Sequence, residues 1–199
     1  MNPQTLWYLS RAAGIVALLM LSASVLMGVV LATDLFPRWR RAAWLLDLHR
    51  WLAGLTVFFV AGHLAALMAD THVHFGLRAV AVPFASTWRP TAVAAGVIAA
   101  WLLLAIEGTA LLMRRLPKWA WRDLHVVSYF VFWAVCVHAA FAGTDASRPV
   151  YVIAAMATVA LVVFAVSYRI LSRDLPKRRS GKAKSSGASR ARDAGGVLG

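Results

Sequence analysis

The chain has 199 residues, of which 61% are hydrophobic and 15% charged, with a formal net charge of +13. An average soluble domain is roughly 45–50% apolar and about 25% charged, so the composition argues against an ordinary water-soluble fold. Lys and Arg lie between apolar runs and in the tail rather than on one face of a periodic element, which argues against nucleic acid, and the single Cys excludes an internal disulfide, a CxxC redox pair and a four-thiolate metal site.

A helix needs about 20 apolar residues to cross ~30 Å of hydrocarbon, and five runs meet that length in chain order. They cover 6–33, with Arg11 the only charge, then 42–69, 91–113, 119–142 and 149–168. The first is not a cleavable signal peptide, because its uncharged stretch 12–33 exceeds an h-region and no basic n-region precedes it. The expected fold class is all-α: an integral membrane helical bundle of five transmembrane helices, multi-pass in the cell membrane, with the lipid bilayer as its first partner. The loop 70–90 is long and partly apolar, so its middle is expected along the membrane surface. It carries His72 and His74 as His-x-His, a pattern more often solvated than metal-bound. Residues 1–171 form the bundle. Residues 172–199, rich in Lys, Arg, Ser, Gly and Ala, cannot bury enough apolar surface to fold alone and read as a disordered basic tail.

Orientation follows from the connections, since Lys and Arg accumulate on the cytoplasmic side. Of the 21 basic residues, all but Arg11, Arg78, Arg89 and Arg148 fall on one side, that of the tail. Five spans then place the N-terminus outside and the C-terminus in the cytoplasm. Trp7, Trp39, Trp44, Trp88, Trp119 and Trp121 lie near span ends, as interfacial aromatics do.

Polar side chains inside a span are costly and mark function, which singles out four histidines. His49 and His63 are on the second span, and His125 and His138 on the fourth. Both spans run from inside to outside, so His49 shares a level with His125 and His63 with His138. Spacings of 14 and 13 residues separate the levels by ~21 and ~20 Å, which suits two separate cofactors and not a dinuclear site with ions only ~3.5–4 Å apart. Fourteen residues return nearly to the same helix face; thirteen leave His125 and His138 ~140° apart in an ideal helix, a difficulty that a π-bulge, a kink or approach from different sides would remove. The two spans share Asp47-Leu48-His49 and Asp123-Leu124-His125, with Arg50 and Arg122 adjacent. For the Asp residues, capping and dipole pairing at a span start is the plainer reading.

A lone intramembrane His is as readily an interhelical hydrogen-bonder as a ligand, but four at two matched depths point to two haem b groups, each held by one His from either helix. His49, His63, His125 and His138 are then the iron ligands. Bis-His ligation fills both axial positions and suits electron transfer, and with no CxxCH a c-type attachment is excluded. Haem propionates call for cationic partners at the membrane edge: Arg50 and Arg122 inside, and Arg11, Arg89 and Arg148 outside. For all of these except Arg11, ordinary flanking charge is the plainer reading. Arg11 and Glu107 lie within spans and call for pairing or neutralisation. Cys136 and the aromatics Phe58, Phe59, Phe130, Phe132 and Trp133 read first as packing.

With these residues in hand, the sequence resembles the ferric reductase-like transmembrane domain family, which includes the membrane part of NADPH oxidases, iron reductases and the haem-binding subunit of bacterial methionine sulfoxide reductase systems. The resemblance rests on His49 with His63 at spacing 14 and His125 with His138 at spacing 13, the awkward value included. The segments Leu6-Trp7-Tyr8-Leu9-Ser10-Arg11, Pro83-Phe84-Ala85-Ser86-Thr87-Trp88-Arg89-Pro90 and Ala142-Gly143-Thr144-Asp145 look like those of short stand-alone bacterial members. Family members commonly have six spans with ligands on the third and fifth; five with ligands on the second and fourth imply that the first is missing here. No GxGxxG follows a strand, and no flavin or nicotinamide site is recognised. The resemblance therefore implies a membrane cytochrome b that is the electron-transfer component of a reductase system, with a separate flavoprotein, quinol or molybdenum reductase as donor or acceptor. The competing reading is a haem-free multispan transporter whose histidines line a proton or metal path.

Overall fold

In hydrocarbon no water satisfies the backbone, so a chain with five long apolar runs must close its hydrogen bonds within helices. The computed structural model describes residues 4–33, 43–70, 75–145 and 147–172. Its elements in chain order are α1 (Gln4–Ala32), α2 (Ala43–Ala69), α3 (Leu77–Ala81), α4 (Pro90–Leu111), α5 (Lys118–Val126), α6 (Ser128–Ala142) and α7 (Pro149–Ser172). Among the described residues there is no strand, and five stretches are long and apolar enough to cross a membrane: α1, α2, α4, the broken helix Lys118–Ala142, and α7. Their bounds fall within a few residues of the expected runs. His72, His74, the basic loop with Trp39, and tail residues 173–199 lie outside the described residues.

Local chemistry sets the helix starts. Pro90 and Pro149 stand at the first position of α4 and α7, where the missing N–H costs nothing. Arg89, just before α4, takes the left-handed conformation at φ 43. Hydroxyls inside the spans return their hydrogen bonds to the carbonyl one turn back, as Thr56 does to Leu52 at 2.8 Å and Thr33 to Val29 at 2.9 Å. The loop expected along the surface holds α3, tied to α4 by the Trp101 Nε1–H, which donates to the Ala81 carbonyl at 2.8 Å.

The spans pack as two hairpins. α1 lies antiparallel to α2, and α4 lies against α6, with α7 along the α1 side. Between them sits the apolar core: Leu21 and Val25 of α1, Ala99, Leu103 and Ile106 of α4, Val131, Phe132 and Ala134 of α6, and Val162 of α7. Cys136 packs against this cluster, as expected of it. Most other large apolar side chains, such as Phe58, Phe130, Phe164 and Leu171, are exposed. That is the surface lipid requires, because a helix apolar all round has its solvent in the bilayer.

The fourth span is broken. At Val127 the helix tightens: the Val127 N–H reaches the Leu124 carbonyl at 3.0 Å, three residues back, before the Val131 N–H resumes the four-residue pattern on Val127 at 3.0 Å. The consecutive β-branched Val126 and Val127 and the Ser128 that follows them are all modest helix formers. The break separates α5, which carries His125, from α6, which carries His138.

Phe132 is fully enclosed and Phe130 is more than half exposed. Packing rather than transfer from water holds helices together in a bilayer, so Phe132→Ala should cost about 3 kcal/mol and lower the thermal unfolding temperature in detergent, while Phe130→Ala leaves it nearly unchanged. Equal melting of the two variants would contradict this core.

Candidate functional site

The antiparallel register of α1 and α2 can be read from two histidines. His63, near the end of α2, places its Nδ1 2.8 Å from the carbonyl of Ser10, near the start of α1. His49, near the start of α2, places its Nδ1 3.0 Å from the carbonyl of Ser24, further along α1. On the other hairpin, Nδ1 of His138 stands 2.9 Å from the carbonyl of Ala92 on α4. A carbonyl can only accept, so in all three rings Nδ1 carries the proton and donates it. The same bond fixes the tautomer and leaves the Nε2 lone pair for a ligand. Ser10 and Ser24 add their hydroxyls, at 3.0 and 3.2 Å from the same nitrogens.

Across the bundle the rings meet by level, as the sequence implied. His63 and His138 have ring centroids 6.3 Å apart with planes at 83°, and His49 and His125 are 6.0 Å apart at 72°. The 13-residue spacing falls in a span that is not one continuous helix, with the break at Val127 lying between the two histidines. His125 is the exception among the four. Among the described residues its Nδ1 is buried without a hydrogen-bond partner, and its ring stacks on Trp121 at 5.3 Å and 24°. Trp121 Nε1 is likewise buried and has no partner among the described residues.

The His63–His138 level opens into a cavity between α1, α2, α4 and α6. Its lining includes Gly14, Gly96, Leu103, Val131, Arg11 and Tyr151. Phe75, Trp88 and Trp7 stack edge to face over this end, at 6.1 and 6.5 Å. Gly14, Gly96, Ser10, Ser24 and Tyr151 were not singled out from sequence. The signal was present for α1, where Ser10-x-x-x-Gly14 recurs as Ser24-x-x-x-Gly28, offset by the same 14 residues that separate His49 from His63.

The arginines divide by surroundings. Arg11 pairs with Asp145: its Nε donates to the carboxylate at 3.1 Å and a second nitrogen closes a fork on the other oxygen. This pairing supplies the anionic partner that its place inside a span required. Arg148 adds a looser contact to the same carboxylate at 3.3 Å. Arg89 donates to the Phe141 carbonyl and lies over the Trp88 ring at 5.0 Å, clamping the start of α4 to the end of α6. Arg50 and Arg122 are exposed, with loose contacts of 3.5 Å to Asp47 and 3.8 Å to Asp123. Both Asp residues lie more than a turn inside their helices, so neither caps its helix. Glu107 has no ion pair among the described residues. Of the aromatics between the two levels, only Phe132 is enclosed in the core; Phe58, Phe130 and Trp133 are exposed.

Residues 13–137 match the family described as ferric reductase like transmembrane component. No curated protein and no solved structure matches the chain.

The Arg11–Asp145 pair is mostly buried, with 25% and 16% of each side chain exposed. Removing one partner strands the other, so Asp145→Ala should cost on the order of 2 kcal/mol, read as a lower unfolding temperature in detergent. Asp47→Ala and Asp123→Ala, at exposed pairs, should stay within about 0.5 kcal/mol of the parent. A silent Asp145→Ala would show that the fork holds nothing.

Proposed function

The chain belongs to the ferric reductase-like transmembrane component family, that of a membrane electron-transfer component, and from that premise we propose that it is a membrane cytochrome b carrying single electrons across the bilayer between two bis-His haem b groups. It serves in this reading as the electron-transfer component of a reductase system in the cell membrane.

The observation that carries the reading is the geometry of the two histidine pairs. A ring nitrogen binds a metal at about 2.0–2.1 Å and lies ~1.1 Å from its ring centre, so two imidazoles on opposite sides of one ion stand ~6.3 Å apart between centres. The measured 6.3 and 6.0 Å fit that spacing. The donor set fits as well. Each pair offers two imidazole nitrogens, and a porphyrin would supply the remaining positions around one iron. His63 with His138, and His49 with His125, would hold one haem each. Bound there, haem supplies a one-electron couple with no open coordination position for oxygen.

The chain's own residues orient and insulate. Backbone carbonyls of Ser10, Ser24 and Ala92 hold three ligands in one tautomer, and the core around Phe132 excludes water between the two levels. Arg11 has five N–H donors and spends only part of them on Asp145, so with Arg89 it remains available to a propionate at the His63–His138 end. Arg50 and Arg122, exposed and loosely paired, serve the other end in the same way. Placing the basic connections in the cytoplasm puts His49 and His125 on the inner side and His63 and His138 on the outer. The pairs are ~21 Å apart along α2, which spans the hydrocarbon in two redox stations. A hydride carries two electrons, so its conversion falls to a separate flavin partner, or electrons arrive from a quinol or leave to a molybdenum reductase.

Single His→Ala variants test the pairing through redox titration with haem quantitation. His63→Ala and His138→Ala should each remove the outer haem and spare most of the inner, and His49→Ala and His125→Ala should do the reverse. Equal loss of both centres from all four variants would refute the pairing. A colourless, folded parent from haem-supplied cells would favour the haem-free transporter instead.

A further inference from the structure

We propose that Gly14 and Gly96 are positioning residues for two of the four histidines, His63 and His138. Each completes a backbone seat in which residue i gives its carbonyl to the imidazole Nδ1–H and glycine i+4 leaves the space for the ring. The proposal rests on the haem reading above and deepens it.

The same arrangement occurs three times on two helices: Ser10 with Gly14 under His63, Ser24 with Gly28 under His49, and Ala92 with Gly96 under His138. Physics dictates the spacing. A helical carbonyl at i points along the axis to the N–H of i+4 and has one lone pair left, so a second donor must come in from the side across residue i+4. At Gly14 and Gly96 a side chain stands in the way. A Cβ on Gly96 would lie 2.6 Å from His138 Nδ1 and 2.8 Å from its Cε1; on Gly14 it would lie 3.1 Å from His63 Nδ1; on Gly28 it would lie 3.5 Å from His49 Cε1, an ordinary contact. Gly54 and Gly62 of α2 and Gly108 of α4 would meet nothing within 4 Å. The contrast separates the seats from any general use of small residues in helix packing.

The seat has an electronic consequence. Donation from Nδ1–H to a carbonyl makes the ring a stronger donor to iron, which favours the ferric state and lowers the potential. It also fixes the ring plane. Planes held nearly perpendicular, as at 83° for His63 and His138, give a low-spin ferric signal of strong g anisotropy, so any turning of the ring is visible. His125 has no such seat among the described residues, where its Nδ1 is buried without an acceptor.

The test uses the full-length haem-loaded protein in detergent, with electron paramagnetic resonance of the ferric state and redox titration on Gly→Ala variants. Ala is the better helix former at all five positions, so loss of helix propensity explains no defect. Gly96→Ala should lower occupancy of the His63–His138 haem several-fold, or shift its largest g value and raise its midpoint potential, while sparing the other haem. Gly14→Ala should move the same haem less. Gly54→Ala, Gly62→Ala and Gly108→Ala should match the parent. An unchanged signal and potential in Gly96→Ala would overturn the proposal, as would an equal effect from Gly62→Ala. Where Gly96→Ala does not fold, Gly14→Ala decides, and its matching the parent overturns it. A parent without haem refutes the functional reading; a haem-loaded parent with insensitive glycines refutes only the seats.

Discussion

An imidazole in hydrocarbon has no water to bond, so each buried ring nitrogen must find a protein acceptor or a ligand. Four such rings lie within this bundle, and much of its geometry answers that demand. Three donate through Nδ1 to main-chain carbonyls on a neighbouring helix, which sets the register of α1 on α2 and of α4 on α6. With Nδ1 donating, Nε2 of each of these three rings keeps its lone pair. The bonds that set the register are thus the same bonds that fix the tautomers.

The two ends of the bundle are built differently. At the His63–His138 level both rings are seated, and a cavity adjoins them whose lining includes the Arg11–Asp145 fork and the Trp7–Trp88–Phe75 stack. At the His49–His125 level one ring is seated and the other is stacked on Trp121, on a short helix set off by the break at Val127. Tightened turns within a span often mark functional hinges. The His49–His125 pair therefore joins the long helix α2 to the short helix α5.

Much of this was legible in the sequence, because its carriers are long-range and coarse. Apolar run length gave the five spans, and the matched depths of His49 with His125 and His63 with His138 gave the pairs. What stayed hidden depends on contacts between helices. The partner of Arg11 is Asp145, 134 residues away, and nothing local to either residue announces the other. Asp47 and Asp123, read as caps from their place near span starts, turn out to sit a turn or more inside. The objection raised by the 13-residue spacing assumed one continuous helix, and the span breaks at a stretch of two valines and a serine. The glycines were visible as letters, but only the carbonyl four residues earlier gives them meaning.

The central claim is that each histidine pair takes one iron in full axial ligation. The most direct measurement is the haem-to-protein ratio of the intact chain together with its optical spectrum before and after dithionite and then carbon monoxide. The account predicts two non-covalent haem b per chain, both low-spin, with a reduced spectrum that carbon monoxide leaves unchanged. One haem or none in folded protein from haem-supplied cells, or a carbon monoxide complex forming rapidly at either centre, would contradict it.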